Sequence, residues 1–95
     1  MKKQNKIRQH IRFTGRVQGV GFRYTAQNAA NYYGLTGWVY NEYDGSVVME
    51  IQGPENTIEK AIKKLEAGTF IEIDNMEVTQ LPVLINEGSF YIKDW

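Results

Sequence analysis

Two segments of this 95-residue chain carry residue types that could do chemistry. The first is Gly15-Arg16-Val17-Gln18-Gly19-Val20-Gly21-Phe22-Arg23. Its three glycines allow backbone conformations closed to other residues, and such a loop can turn successive N–H groups inward as an anion nest. A helical pattern starts at Phe22, so the unpaired N–H groups and positive dipole end of a helix would adjoin that nest. Arg23 falls in the first turn, where a cation opposes the dipole. A phosphate held in the loop would account for it, because guanidinium offers two parallel donors to phosphate oxygens and stays charged. By spacing alone, a glycine-rich turn beside a surface arginine fits as well. The loop is not a Walker motif, since no Gly-Lys-Ser/Thr follows. Nor is it a dinucleotide fingerprint: the glycine spacing differs, and the next strand is expected to pair as a hairpin rather than as a parallel crossover.

The second segment ends at Asn41, just before an Asp44-Gly45 turn. Asparagine at a strand end is often a turn former. Its amide is also donor and acceptor at once, so it could accept a water's proton and present the oxygen to a phosphorus atom. The first and second strands are expected to run antiparallel. The loop after the first would then adjoin the start of the second, and spacing leaves open whether Asn41, at the far end, reaches the loop.

The rest of the inventory narrows the chemistry by exclusion. There is no cysteine, which removes disulfides, thiolate nucleophiles, zinc–thiolate sites and iron–sulfur clusters. His10 is the only histidine, placed on the polar face of the first strand and read as solvated. Catalysis must therefore rest mainly on arginine, lysine, amides, carboxylates and backbone donors, with no cofactor and no metal expected.

These residues need elements to position them. Ile7, Ile11 and Phe13 alternate with polar residues, the period of a strand with one buried face. Phe22, Ala26, Ala29, Ala30 and Tyr33 fall on one helix face, and Gly34 suits its C-terminal cap. Trp38-Val39-Tyr40 reads as a second strand, and Val47, Met49 and Ile51 as a third across the Asp44-Gly45 hairpin signal. Gly53-Pro54 opens a second helix, with proline at its first helical position and an apolar stripe of Ile58, Ala61, Ile62 and Leu65, closed by Gly68. Ile71, Ile73, Met76 and Val78 give a fourth strand interrupted near Asn75, and Phe90 and Ile92 a short fifth. The order β-α-β-β-α-β plus one strand is an α+β, ferredoxin-like split βαβ sandwich. It implies an antiparallel sheet of four to five strands with two helices on one face.

Residues 1–6 read as a flexible basic N-terminal tail and 7–95 as a single domain, which the chain length also favours. Lysine plus arginine and aspartate plus glutamate each number 11, so net charge is zero. All seven cations Lys2, Lys3, Lys6, Arg8, Arg12, Arg16 and Arg23 precede residue 24, and every acidic residue follows it. A solubilising tail on an acidic body and an anion site near the start of the chain are both compatible with this split. No apolar run approaches a membrane span, and no apolar stretch follows Met1-Lys2-Lys3, so a cytoplasmic protein is the expectation, and a monomer because no large apolar patch is evident by pattern.

Taken together, Gly15 to Arg23 resembles the signature loop of the acylphosphatases, and Gly37-Trp38-Val39-Tyr40-Asn41 with Asp44-Gly45-Ser46-Val47 resembles that family's second signature. The resemblance covers residues 8–68 well and the remainder more loosely. It implies a metal-independent hydrolase that splits the carboxyl–phosphate bond of a small acyl phosphate into a carboxylate and inorganic phosphate. By position, Arg23 would bind the phosphate and Asn41 would orient the attacking water. The backbone of Gln18, Gly19, Val20, Gly21 and Phe22 would cradle the phosphate. Tyr40 stands where the family often has a basic residue, and Thr69 to Asp74 lacks the family's usual proline and small residues.

Three other readings share the βαββαβ plan. An RNA-recognition domain stacks bases on aromatics of its third strand, but Val47 to Ile51 holds none and the acidic body repels a phosphate backbone, so no nucleic-acid partner is expected. An effector-binding regulatory domain would not need both Arg23 and Asn41. A piece of a larger carbamoyl-transfer maturation enzyme is disfavoured by a chain running from Met1 to Trp95 without a linker.

Overall fold

A computed structural model describes residues 5–94. The elements run β1 (Lys6–Arg16), α1 (Phe22–Tyr32), β2 (Thr36–Asn41), β3 (Val47–Pro54), α2 (Glu55–Glu66), β4 (Glu72–Leu81) and β5 (Phe90–Ile92). Residues 1–4 of the expected tail lie outside the described residues. Lys6 already pairs with Pro54 in the sheet.

The sheet order is β4-β1-β3-β2-β5. β3 lies between β1 and β2 and pairs antiparallel with each. The first two strands are therefore parallel, which corrects the antiparallel expectation, while β2 forms its hairpin with β3 as expected. The reason is that α1 carries the chain from one end of the sheet back to the other before β2 begins, so β2 starts in the direction of β1. The C-terminal ends of both strands then lie at the same end of the sheet. The fifth strand also differs from an all-antiparallel sheet: β5 runs parallel to β2, with Gly37 opposite Phe90 and Val39 opposite Ile92.

Strand alternation divides the sheet into two faces. Ile11 and Phe13 of β1, Val39 of β2, and Val47, Met49 and Ile51 of β3 point at the helices and are fully buried. They meet Phe22, Ala26, Ala29 and Ala30 of α1 and Ile58, Ala61 and Leu65 of α2 in one core. Phe22 packs edge-on against Phe13 with ring centroids 4.9 Å apart, anchoring the start of α1 to β1. α1 ends as the spacing predicts, with Leu35 N–H on the Ala30 carbonyl and Gly34 N–H on that of Asn31. Three details of the sequence reading shift. Pro54 ends β3 with an extended backbone and caps α2, so the helix begins at Glu55 rather than at the proline. Val78 shares the helix-side face yet is half exposed, because β4 is the outermost strand and extends past the helices. The interruption near Asn75 is a bulge: Thr14 faces Asn75, but Gly15 faces Ile73. There Gly15, φ 124°, sits so close to β4 that a Cβ would overlap the Glu72 carbonyl oxygen. That glycine belongs to the sheet and not to the loop.

β4 and β5 lie on opposite edges of the sheet, so the segment 82–89 must cross its other face. Two side chains pin it there. Gln52 exchanges hydrogen bonds with the Leu84 backbone, donating to its carbonyl at 2.8 Å and accepting from its N–H at 2.9 Å. Arg8, only 1% exposed, donates to both Glu87 carboxylate oxygens at 2.7 and 3.2 Å and to Glu50 at 2.9 Å. His10 is not simply solvated: its Nδ1 lies 3.0 Å from the other Glu50 oxygen, and its ring stands edge-on to Trp38. Burial disfavours the charged form of Glu50, yet hydrogen bonds from His10 and Arg8 and the nearby positive charges outweigh it and hold the carboxyl below its ordinary value.

Removing the guanidinium takes from Glu87 its ion pair and leaves Glu50 with His10 alone. Arg8→Ala should cost about 3 kcal/mol in urea unfolding. A carboxyl held low in the folded state stabilises above its ordinary value of 4.5, and that contribution is lost as pH falls through the lower folded value. The thermal midpoint of Glu50→Gln, lower at neutral pH, should therefore fall less steeply below that value than that of the unaltered protein.

Candidate active site

The loop after β1 leads into a helix whose N-terminus is bare. Gly21 occupies the cap position at φ 78°, a left-handed conformation that suits glycine, and no side chain caps the helix. The first turn contains no acidic residue. The leading N–H donors of α1 are thus free for an external acceptor, at the positive end of the dipole. The side chain of Arg23, half-buried in that turn, forms no hydrogen bond or ion pair with any described residue. Two arginines of neighbouring β1 are committed: Arg8 to Glu50 and Glu87, and Arg12 to Asp44 at 2.7 Å. Arg16 stands exposed at the end of β1, and Arg23 is the arginine of the basic segment that lines the cleft beside the loop.

Asn41 closes β2 opposite Val47, on the helix-covered face of the sheet. Because β1 and β2 are parallel, it arrives beside the loop. A cleft of about 230 Å³ is lined by Val17, Gly19, Gly21, Phe22, Arg23, Tyr24 and Asn41. Asn41 Oδ1 is buried and has no hydrogen-bond partner among the described residues. Leaving a buried acceptor unsatisfied costs about 1–3 kcal/mol, so this oxygen is suited to a donor that enters the cleft.

Of the residues singled out in the sequence, Gly19, Gly21, Phe22, Arg23 and Asn41 meet in this one cleft. Gln18 lines the adjoining depression with Tyr40, Asn41, Glu42 and Tyr43, and its side chain bonds to the hairpin turn. The Val20 side chain packs against the core and contributes only backbone to the loop. His10 points to the opposite face of the sheet, among Glu50 and Trp38. The turn itself is held by Asp44, whose carboxylate accepts from Ser46 N–H at 2.9 Å, from Ser46 Oγ–H at 2.6 Å and from Arg12. Those bonds hold the Asp44 carboxyl well below the usual range.

The arrangement is a set of donors around one anion-sized space with a single buried acceptor in its wall. The acylphosphatase family profile matches residues 9–92 of the chain. The chain belongs to the acylphosphatase family. An acylphosphatase of Geobacillus thermodenitrificans is 45% identical over 86 residues, which is 90% of this chain and 92% of that protein. The crystal structure of the acylphosphatase from Bacillus subtilis superposes with a TM-score of 0.85 at 36% identity, covering 93% of this chain and 99% of that one. Full-length HypF, solved in a phosphate- and nucleotide-bound form, contains a similar unit: TM-score 0.86 at 30% identity over 98% of this chain but 12% of that one. As an acylphosphatase, the protein is an enzyme that hydrolyses acyl phosphates.

Two contributors to the acylphosphatase cleft were invisible in the spacing. Tyr24, largely exposed, stands at its rim. Lys93, just past β5, lines a smaller recess of about 130 Å³ with Arg23, Tyr40, Asn41 and Asp94. Its backbone N–H donates to the Val39 carbonyl, and its Nζ lies 4.1 Å over the Trp38 ring. The Lys93 ammonium thus lies with Trp38 on the face of the sheet opposite the cleft. No signal in the sequence pairs residue 93 with residue 39, because the contact depends on β5 joining β2.

Inorganic phosphate titrated into the chelator-treated protein should shift the NMR amide signals of Gly19 to Tyr24 and the side-chain amide of Asn41. Arg23→Ala should weaken that binding at least about tenfold, the scale of one charge-assisted pair.

Proposed function

We propose that Arg23 and the backbone donors of Gln18 to Phe22 hold the phosphoryl group of the substrate, and that Asn41 orients the attacking water. The buried, unpartnered Asn41 Oδ1 in the same cleft as Arg23 and the uncapped helix carries the reading. The phosphoryl oxygens accept from the loop N–H groups and from the guanidinium. Asn41 Oδ1 accepts one proton of a water and turns its lone pair toward phosphorus. The new P–O bond forms as the bond to the acyl oxygen breaks, and the electron pair leaves on the carboxylate. A carboxylate is a weak base, so the leaving group needs no acid. The water's proton passes to a phosphoryl oxygen of the substrate itself. Positioning and charge stabilisation then supply the acceleration.

This chemistry suits a chain with no cysteine and with its one histidine on the opposite sheet face. It requires no resident metal or cofactor. We further place the enzyme in the cytoplasm as a monomer that acts on small acyl phosphates and neither binds nucleic acid nor enters a membrane. Among the described residues no helix is long and apolar enough to cross one. A single domain whose first strand begins at Lys6, preceded by a basic tail, completes the reading.

Hydrolysis of benzoyl phosphate with chelator present tests it. Arg23→Ala should lose roughly 10²–10³ in turnover, as when one oxyanion donor is removed. Asn41→Ala should lose turnover to a similar degree while keeping its affinity for inorganic phosphate. Near-normal turnover in folded Arg23→Ala sinks the phosphate role, and an Asn41→Ala effect confined to KM sinks the water role.

A further inference from the structure

The two halves of the site come from different parts of the chain. The cradle follows β1, and Asn41 ends β2. Between them in the sheet lies β3, so no ladder hydrogen bond joins the loop to the end of β2. One side chain spans the gap. Gln18 Nε2 donates both of its protons to backbone carbonyls, to Glu42 at 2.7 Å and to Ser46 at 2.8 Å. Glu42 directly follows Asn41, and Gln18 directly precedes Gly19.

We infer that the Gln18 side chain is a positioning residue, setting the distance and angle between the phosphate cradle and the Asn41 amide. The inference rests on the acyl phosphate reading above and adds to it a role for the side chain, distinct from the backbone of residue 18. A primary amide suits the task because one nitrogen carries two diverging protons. The clasped turn is stiff in its own right. Glu42 N–H donates to the Ser46 carbonyl at 2.9 Å, and Asp44 grips Ser46 while Arg12 of β1 grips Asp44. Ser46 is 2% exposed. Gln18 therefore ties a glycine-rich loop, free to move by its composition, to a fixed point one residue from the water-holding amide. Glutamate at this position has the same shape without the donors, and would set a carboxylate against two carbonyl oxygens. Methionine keeps the length and removes all polarity.

The test uses Gln18→Met and Gln18→Glu in the full chain, with and without Asn41→Ala, in the benzoyl phosphate assay. Misplacement of about 1 Å can cost 10²-fold, so kcat should fall roughly ten- to a hundredfold. Inhibition by inorganic phosphate should move less than about threefold in Gln18→Met, because the cradle donors remain. In the Asn41→Ala background, Gln18→Met should change kcat by less than about twofold, since there is no amide left to align. Losses that multiply in the double variant, or a kcat that follows the thermal midpoint alone, overturn the inference. If the unaltered protein shows no turnover, the acyl phosphate reading fails separately. The tie is then judged by amide hydrogen exchange: faster exchange at Gly19 and Gly21 in Gln18→Met supports it, and unchanged exchange overturns it.

Discussion

The insertion of β3 between β1 and β2 is the constraint on which the site depends. A helix that leaves one strand and returns to a parallel one must start beside the far end of the first and finish beside the near end of the second. The C-terminal ends of β1 and β2 are thereby placed together, with the N-terminus of α1 between the core and solvent. The loop, the bare helix terminus, Arg23 and Asn41 all gather at that end of the sheet. An antiparallel pairing of the first two strands would have put Asn41 at the opposite end, out of reach of the cradle.

Charge is distributed so that the arginine at the cleft stays available. The basic N-terminal segment meets the acidic body mainly through pairing within the sheet. Arg8 is buried with Glu50 and Glu87, and Arg12 is held by Asp44 and approached by Glu77 at 3.5 Å. These contacts serve the fold: the first clamps the 82–89 segment across the open face, and the second fixes the turn beside Asn41. Arg23 alone among the three lies at the mouth of a cleft without an acidic neighbour bonded to it. Its position at the dipole's unfavourable end leaves it and the helix N–H groups with a common need for an anion. Lys93 lines the adjoining recess from just past β5, a strand that joins β2 after the segment that Arg8 and Gln52 pin.

The local strictness of the loop comes from several sources. Gly15 allows β1 and β4 to approach at a bulge, Gly21 turns the chain into the helix, and Phe22 locks the first helical residue onto Phe13. Gln18 completes the frame from the other side. A mixed anhydride needs little acid or base help to cleave, so rigidity of donors and water is the main thing the protein has to provide.

The sequence by itself determined the element types, the core stripes, the two signature segments and the restriction to arginine, lysine, amide, carboxylate and backbone chemistry. Those depend on short-range periodicity, glycine placement and residue inventory, which are local properties. Only the tertiary structure decided which strand ends meet, because the direction of β2 follows from a pairing with β3 that no spacing between residues 16 and 36 encodes. It likewise decided that Gly15 serves the sheet, that Pro54 caps α2 from outside, and that Val78 is left half exposed at an edge. The clamp of Arg8 on Glu87, the reach of Gln18 to Glu42 and Ser46, and the arrival of Lys93 beside Arg23 join residues far apart in the chain. Such contacts are set by the closing of the whole sheet, and their geometry exists only once every strand is in place.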